Sequence, residues 1–368
     1  MKYDVLVAGA GLAGSTAARL FAEHNKRVLV VERLKHIAGH CYDCRNKHGI
    51  TIHRYGPHIF HTNNTSVWEF VKRFTDFRPY VHRVLSSVNN MLLPLPINRD
   101  TIAGLFKIKI NADQVKNFLA AEVARAQFNI PPQNFKDQVV SQVGERLYEA
   151  FYKNYTIKQW QQDPEKLGAE IAARIPVREN TDDRYFSDVY QGIPQAGYTT
   201  LVKSMLDHPH IQVELDTDFF EVENGIGRDI TIYTGQLDRY FDYKYGTLEY
   251  RSLDLVFKTF KKEFYQPVAV VNYPNEHRWT RITEFKHLTG EASSHTTVCF
   301  EYPKARGEPY YVVINQENNK KREQYLHEVK ACEEQGICYF IGRLAEYKYY
   351  NMDQVIDAAI KKINTIIA

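Results

Sequence analysis

Residues 3–32 decide the fold of this chain, and they read YDVLVAGAGLAGSTAARLFAEHNKRVLVVE. A short apolar run is followed by a glycine-rich stretch, by apolar residues at helical spacing, and by a second apolar run that an acidic residue closes. Strand, glycine loop, helix and strand within about 30 residues are typical of a βαβ unit that binds a nucleotide. The stretch therefore predicts a Rossmann-like domain.

The glycine loop has the chemistry that a dinucleotide requires. Gly9 permits a tight turn, Gly11 lets a pyrophosphate approach the backbone, and Gly14 allows close packing of helix on strand. The helix that begins near Leu12 presents free N–H groups and a partial positive charge to the phosphates. Glu32 can accept hydrogen bonds from the ribose hydroxyls, and its charge disfavours the extra phosphate of NADP. A glycine-rich turn without a ligand is the alternative.

Two features favour FAD over NAD. Many FAD proteins continue the second strand as E-R/K-x-x-x-x-G-G, and here Arg33 and Gly39 fit that pattern while Ala38 replaces its first glycine. A late strand, CYFIGR, ends with Gly342 just before the last helix. FAD enzymes of this type commonly return the chain to the flavin at that point.

Composition excludes several classes of protein. The 368 residues suffice for two or three domains. With 47 basic and 44 acidic residues, the net charge of +3 is too small for a general nucleic-acid binder. No signal-peptide pattern is found and no stretch approaches the ~20 apolar residues of a membrane span, so we expect a cytoplasmic protein. Five cysteines are too few for a disulfide framework.

Beyond the first unit the pattern changes twice. Residues 111–180 have apolar positions at helical periods, which predicts a helical insert. Residues 209–300 contain the short runs IQVEL, ITIYTG, PVAVVNY, TRITEF and TTVCFEY, which predict an antiparallel sheet. Because no low-complexity linker separates these parts, we expect interleaved domains.

From end to end the chain resembles the bacterial UDP-galactopyranose mutases. The motifs that carry the resemblance are IHRYGPHIFHT at 52–62, NYTIKQW at 154–160, ARIPVR at 173–178, YFSDVYQGIP at 185–194, FDYKYGTLEYRSL at 241–253, TRITEFKH at 280–287 and GRLAEYKYYNMDQV at 342–355. Several of these are long and unusual, so the resemblance is specific.

The resemblance implies an α/β fold in which a Rossmann-like FAD-binding domain carries an inserted helical bundle and an antiparallel β-sheet domain. The expected boundaries are 1–76, 192–240 and 333–368 for the FAD-binding domain, 97–180 for the helical domain with its mobile loop, and 77–96, 181–191 and 241–332 for the sheet domain.

The activity that the resemblance implies is interconversion of UDP-galactopyranose and UDP-galactofuranose. N5 of reduced FAD would form a covalent adduct with the anomeric carbon, so the cofactor acts as the nucleophile without net redox change. NAD(P)H or a reductase would supply electrons, and a homodimer is expected. UDP-N-acetylgalactosamine needs only a roomier pocket at C2 and stays open as a substrate. Two alternatives are an oxidase of the amine-oxidase type and a non-catalytic flavoprotein that binds a UDP-sugar.

The resemblance also assigns site residues. Arg174 and Arg281 match the two essential arginines of the family and would clamp the pyrophosphate as catalytic residues. The residues expected to bind the substrate are Phe151, Tyr155, Trp160, Arg174, Tyr185, Asn272, Arg281, Tyr311 and Tyr349. The residues expected to bind the cofactor are Gly9, Gly11, Leu12, Gly14, Glu32, Arg33, Gly39, His58, His61, Gly342, Arg343, Tyr349, Asn351 and Met352. Asn351 stands where the family has Asp, which keeps the hydrogen-bonding reach and loses the charge.

Two short motifs could suggest metal binding. In YGPHIFHT at 55–62, the Gly-Pro pair disfavours the helix on which His58 and His61 would chelate a metal, and the sequence supplies no third ligand nearby. The resemblance places this segment beside the flavin; a buried structural role is the alternative for both histidines. CYDC at 41–44 has no second CxxC, so we interpret its cysteines as ordinary thiols.

Overall fold

A computed structural model of the chain describes residues 2–172 and 176–368. Its strands are β1 Val5–Ala8, β2 Val28–Glu32, β3 Asp43–Arg45, β4 Thr51–His53, β5 Phe60–Thr62, β6 Phe77–Pro79, β7 Val84–Val88, β8 Met91–Leu95, β9 Tyr190–Pro194, β10 Ile211–Leu215, β11 Ile230–Tyr233, β12 Tyr250–Phe260, β13 Val270–Asn272, β14 Arg281–Glu284, β15 Thr296–Lys304, β16 Tyr311–Val312 and β17 Cys338–Phe340. Its α-helices are α1 Leu12–Glu23, α2 Thr65–Lys72, α3 Arg99–Phe106, α4 Ala112–Ala124, α5 Phe135–Val143, α6 Glu145–Tyr148, α7 Asn154–Trp160, α8 Tyr198–Leu206, α9 Phe219–Val222, α10 Leu237–Tyr240, α11 Phe285–Thr289, α12 Gln316–Glu334 and α13 Met352–Ile367.

The first sheet contains five parallel strands in the order β10–β2–β1–β11–β17. Every residue of β1 and β2 is buried, which is expected of central strands in a parallel sheet covered by helices. The helix α1 connects these two strands and α13 packs against it. The predicted βαβ unit and the Rossmann-like fold are therefore confirmed.

Two runs that were predicted to join the antiparallel sheet belong to this parallel sheet instead. IQVEL forms β10, which pairs with β2, and ITIY forms β11, which pairs with β1, both in parallel. The prediction for these runs was wrong because a short β-branched run carries no information about its partner. Pairing depends on the connections that bring distant strands together.

The largest sheet has seven strands in the order β16–β12–β15–β14–β13–β7–β8 within the described residues. Neighbouring strands are antiparallel except for β13 and β7, which pair in parallel. The predicted antiparallel sheet is confirmed, with one parallel pair that the sequence did not indicate.

The helical insert lies between β8 and β9 and contains α3 to α7. A π-helical turn, Glu149–Lys153, joins α6 to α7 without a break, and such turns are frequent at functional sites. The helix α7 packs against β15 of the large sheet. The helical insert therefore packs on the sheet, and the cleft is the junction at which Tyr155 and Trp160 of α7 approach Arg281 and Tyr311 of the sheet.

No helix among the described residues combines the length and the apolar character needed to cross a bilayer.

Candidate active site

A cavity opens at the carboxyl ends of β1, β2, β11 and β17, the edge of an open parallel sheet at which ligands bind. The predicted cofactor residues that line it are Gly9, Gly11, Leu12, Glu32, Arg33, Gly39, His58, Gly342, Arg343, Asn351 and Met352. The other three, Gly14, His61 and Tyr349, lie outside this lining. The fold therefore collects most of the predicted cofactor residues in one place.

Two glycines of the loop are required by geometry. Gly9 has a φ of +109°, which side chains rarely tolerate, and a Cβ there would lie 2.2 Å from Oγ1 of Thr234. A Cβ on Gly14 would lie 1.9 Å from the carbonyl oxygen of Gly9. Gly14 therefore lets α1 approach the loop, as predicted, although it does not face the cavity.

The carboxylate of Glu32 is buried at the end of β2. Its Oε2 accepts a hydrogen bond from the N–H of Ala10 at 2.8 Å, and its Oε1 accepts one from the N–H of Leu34 at 2.9 Å. A carboxylate has about four lone-pair sites, so both oxygens can still accept bonds from ribose hydroxyls. The cavity, its glycine loop and this acceptor fit a dinucleotide cofactor.

Arg33 lines the cavity while it pairs with Glu308, which stands 275 positions later in the chain. The Glu308 carboxylate also lies 3.2 Å from Nε2 of His40, whose ring stacks on Tyr310 at 4.8 Å. This bridge draws the segment around residue 308 across one side of the cavity. Sequence reasoning missed Glu308, since no local pattern connects residues so far apart.

His58 reaches the cavity from the YGPH turn. Its Nδ1 is 2.9 Å from the carbonyl oxygen of Gly56, and its backbone N–H donates to Nδ1 of His53 at 3.0 Å. Burial lowers the pKa of His58 to about 3 and that of His53 to about 4, so both imidazoles are neutral near pH 7. Neither imidazole therefore adds a positive charge near the cavity at that pH.

His61 contacts other protein side chains. Its Nδ1 is 2.9 Å from Oδ2 of Asp188, and its ring stacks on Phe186 at 3.6 Å. Phe186 also contacts His82, a buried residue whose pKa burial lowers to about 3, with Arg281 acting in the same direction. The His61 cluster therefore extends toward Arg281 and away from the cavity lining.

Arg281 projects from β14 into the cleft between the sheet and the helical insert. Its Nε donates to Oε2 of Glu301 at 2.8 Å, and its Nη2 donates to the hydroxyl of Tyr311 at 3.4 Å. Arg281 and Glu301 face each other in the strand register, and the Glu301 carboxylate is fully buried. The ion pair and the bond to Tyr311 together fix the orientation of the guanidinium.

An aromatic wall connects Arg281 to the cofactor cavity. Tyr311 stacks on Tyr349 at 6.0 Å, and Trp160 of α7 packs against both rings. The guanidinium of Arg343, which lines the cavity, lies 5.4 Å from the Tyr349 ring. Burial raises the pKa of Tyr311 to about 12, so its phenol keeps its proton and can donate.

Of the remaining predicted substrate residues, the structure describes Tyr155, Asn272, Phe151 and Tyr185, and the first two lie beside Arg281. Tyr155 lies five residues before Trp160 on α7, and burial raises the pKa of its phenol although Arg281 opposes this. Asn272 pairs in register with Arg281, and its buried Oδ1 has no hydrogen-bond partner in the described residues. Phe151 is buried in the π-helical turn, and Tyr185 packs against Phe186 and His82. Arg174 lies outside the described residues.

Glu301 and His82 are the residues near Arg281 that sequence reasoning missed. All of β15 from Thr296 to Glu301 is buried, so no alternation of polar and apolar residues marks Glu301 as facing the cleft. His82 lies in a short connection before β7 without a recognisable motif. The position of Glu301 beside Arg281 follows from strand register, whereas His82 is placed by its packing on Tyr185 and Phe186.

The described residues contain no group of three or more His, Cys, Asp or Glu side chains placed to hold a metal ion. Cys41, from the CYDC motif, is buried with its Sγ 3.6 Å from Sδ of Met352, and all five cysteines are free thiols.

Known proteins match this chain along its whole length. The family model for UDP-galactopyranose mutase matches residues 150–349, and a model for an NAD(P)-binding Rossmann-like domain matches residues 7–74. A probable UDP-galactopyranose mutase of Klebsiella pneumoniae is 38% identical over 371 residues, which covers 99% of this chain and 95% of that protein. The chain belongs to the UDP-galactopyranose mutase family. It is therefore an isomerase of the flavoprotein class, and the predicted family membership is confirmed.

Two further comparisons refine this result. A dTDP-fucopyranose mutase of Escherichia coli is also 38% identical, over 97% of this chain and 96% of that protein. The crystal structure of a reduced UDP-galactopyranose mutase has a TM-score of 0.77 at 16% identity and covers 100% of this chain and 94% of its own, which shows the shared fold. A flavin-containing amine oxidase A of Equus caballus matches 62 residues, or 17% of this chain, so the amine-oxidase alternative is the weaker one.

Proposed function

We propose that this protein interconverts UDP-galactopyranose and UDP-galactofuranose with reduced FAD bound in the cavity. The observation that carries the proposal is the Arg281 guanidinium, which a buried carboxylate holds in a cleft beside the cofactor cavity. When bound, reduced FAD supplies its N5 atom as the nucleophile for the anomeric carbon of the sugar. The side chains of the cleft bind and orient the nucleotide.

The three arginines Arg281, Arg343 and Arg174 differ in how much positive charge they can offer to a diphosphate. The Arg281–Glu301 pair is neutral as a unit, so it offers directed donors rather than net charge to a pyrophosphate. The guanidinium nitrogens of Arg343 donate to the carbonyl oxygens of Tyr310 at 3.1 Å and Tyr350 at 2.6 Å, so its positive charge is retained. We propose that Arg343 and Arg174 supply the charge that balances the diphosphate and that Arg281 orients it.

Protonated phenols suit the same pyrophosphate. The phenols of Tyr311 and Tyr155 have raised pKa values because the protein shields their hydroxyl groups from solvent, so they remain neutral donors across the physiological range. Neutral donors add hydrogen bonds to the leaving UDP without the strong attraction that further cations would exert. We propose the same role for Tyr185 and Tyr349, and packing against uracil for Phe151.

The proposal also names the nucleotide sugar, for which there are three candidates. The E. coli relative named for dTDP-fucopyranose is as similar as the K. pneumoniae relative named for UDP-galactopyranose. A dTDP-linked 6-deoxy sugar is therefore the second candidate. UDP-N-acetylgalactosamine is a further competitor, because an acetamido group at C2 requires only more space.

The test uses purified protein whose flavin has been reduced with dithionite. UDP-galactofuranose, the furanose form of UDP-N-acetylgalactosamine and dTDP-fucofuranose are offered in competition, and the pyranose products are separated by chromatography. We expect UDP-galactopyranose to form with the largest kcat/KM. Preferential conversion of the dTDP sugar would replace the first candidate by the second. Conversion of none of the three would overturn the proposal.

We further propose FAD as the flavin, with NAD(P)H or a reductase as its electron source, and a cytoplasmic homodimer as the working form. Mass spectrometry of the cofactor released by heat tests the first point, and light scattering tests the last. The domain boundaries expected from the sequence stand as proposals, and limited proteolysis between them would test them.

A further inference from the structure

Lys158 lies on α7 between Tyr155 and Trp160, yet its ammonium group faces the sheet. Its Nζ donates to three backbone carbonyl oxygens of one turn: Tyr273, His277 at 2.9 Å and Trp279 at 3.2 Å. An ammonium group has three donors, so this arrangement uses all of them. The ammonium group therefore holds the three carbonyl oxygens of the turn together, as a bound cation would.

A second contact joins the same two parts of the molecule. The side-chain amide of Asn154 donates to Oδ1 of Asn275 at 3.0 Å, and Nδ2 of Asn275 donates to the carbonyl oxygen of Ala150 at 3.1 Å. Lys158 and this amide pair therefore attach two successive turns of the helical segment to residues 273–279.

The attached parts carry opposite walls of the cleft. The turn follows Asn272 at the end of β13 and leads into Arg281 at the start of β14, and these two residues pair with each other. The helical side carries Tyr155 and Trp160. Since Tyr155, Trp160 and Arg281 lie next to the contacts in the chain, the contacts set the distance between these two aromatic side chains and the guanidinium.

We propose that Lys158 is a positioning residue for the nucleotide: its ammonium group fastens the β13–β14 turn to α7 and so holds the two walls of the cleft at the spacing that binds UDP. The inference deepens the proposed function and rests on it for the nature of the ligand. Lys158 does not contact the reacting atoms, so its removal changes nucleotide affinity more than turnover at saturation.

The experiment compares the holoprotein with the K158M, K158R and K153M variants. UDP is titrated against tryptophan fluorescence, because Trp160 and Trp279 lie on the two attached parts. Lys153 is the matched control: it lies in the same helical segment, and its only described ion pair is with Glu149 at 2.7 Å on the surface. Amide hydrogen exchange of residues 273–280, measured without UDP, reports how firmly the turn is held.

We expect K158M to weaken UDP binding by about tenfold and to raise KM by a similar factor, as for loss of a hydrogen-bonded charge. Turnover at saturation should change less than twofold, flavin content should stay normal, and exchange in the turn should rise. K158R should recover part of the affinity, and K153M should behave as the unaltered protein. If K158M does not fold, N275A should give the same pattern with a smaller effect.

Unchanged exchange in the turn, or UDP affinity of K158M within twofold of the unaltered protein, would overturn the positioning role. Failure of the unaltered protein to bind UDP would overturn the proposed function instead, and hydrogen exchange would still decide whether Lys158 fastens the turn. UDP binding without isomerisation would leave the role of Lys158 intact and remove the activity.

Discussion

At the scale of single residues, the cleft depends on one ion pair between neighbouring strands. The fully buried carboxylate of Glu301 orients Arg281 through its Nε atom. The hydroxyl of Tyr311 accepts a further hydrogen bond from Nη2 of Arg281. The sequence predicted Arg281 through the TRITEF motif but gave no indication of Glu301. The reason is physical: a motif identifies a side chain, whereas its partner is determined by strand register.

Replacing Arg281 with Ala should lower kcat roughly 10²-fold or more, because a directed donor to the leaving diphosphate is lost in a largely desolvated site. Steady-state kinetics on dithionite-reduced protein measures this. Flavin absorbance should be unchanged, and R45A, at an arginine whose side chain is 74% exposed, serves as the control. Near-normal turnover of R281A would contradict the role given to this residue.

Replacing Glu301 with Ala should lower the free energy of unfolding by about 3 kcal/mol, since it leaves the Arg281 charge poorly solvated and unpaired. Urea denaturation followed by circular dichroism measures the change. E301Q keeps an acceptor of the same shape and should lose less than half as much. Equal losses for both variants would show that packing, and not the pairing of Arg281, is what Glu301 provides.

At the scale of elements, the nucleotide loop shows what a local pattern can predict. Its strand, loop and helix were predicted within one continuous stretch, because the φ of Gly9 and the close approach at Gly14 are properties of neighbouring residues. The pattern of short runs assigned the strands β10 and β11 to the wrong sheet, because their partners are set by distant connections, although the boundaries implied by the resemblance put 192–240 with the FAD-binding domain. The bridge from Arg33 to Glu308 escaped prediction for the same reason.

The variant G14A should fail to retain flavin, because a Cβ there would lie 1.9 Å from a backbone oxygen and α1 would have to move off the loop. The ratio of flavin absorbance to protein absorbance after gel filtration measures retention. G225A is the matched control, since a Cβ at Gly225 meets nothing within 4 Å. Full flavin content in G14A would refute this explanation of the loop.

At the scale of the whole molecule, three imidazoles are shielded from solvent: those of His53 and His82 are buried, and that of His58 is half-buried. Burial lowers the pKa of His53 to about 4 and those of His58 and His82 to about 3. The unfolded chain takes up these protons below pH ~6.5 while the folded protein does not. Stability should therefore be complete above pH ~6.5 and should fall as the pH decreases toward about 4.

Each of the three histidines should lower the free energy of unfolding by up to about 1.4 kcal/mol for each unit by which the pH falls from ~6.5 toward about 4. Urea denaturation at pH 7, 6 and 5 measures the slope. H82N should reduce the slope relative to the unaltered protein. A slope that H82N does not alter would show that His82 is protonated in the folded protein.

The fold class and the family predicted from the sequence are confirmed, and the fold brings most of the predicted cofactor residues to one cavity, while their role stays a prediction. It could not place the cleft, because that site forms only where the helical insert meets the sheet. Lys158 illustrates the limit: within NYTIKQW it has no special feature, and its three acceptors come from residues more than 100 positions away.

The central claim is that a reduced flavin and this arginine–tyrosine cleft isomerise a nucleotide sugar without consuming electrons. The most direct measurement counts the pyranose molecules formed from UDP-galactofuranose per electron supplied, under anaerobic conditions, with oxidised protein in parallel. We predict many turnovers per reduced flavin and none with the oxidised protein. Equal activity in both redox states, or one reductant consumed per product, would contradict the account.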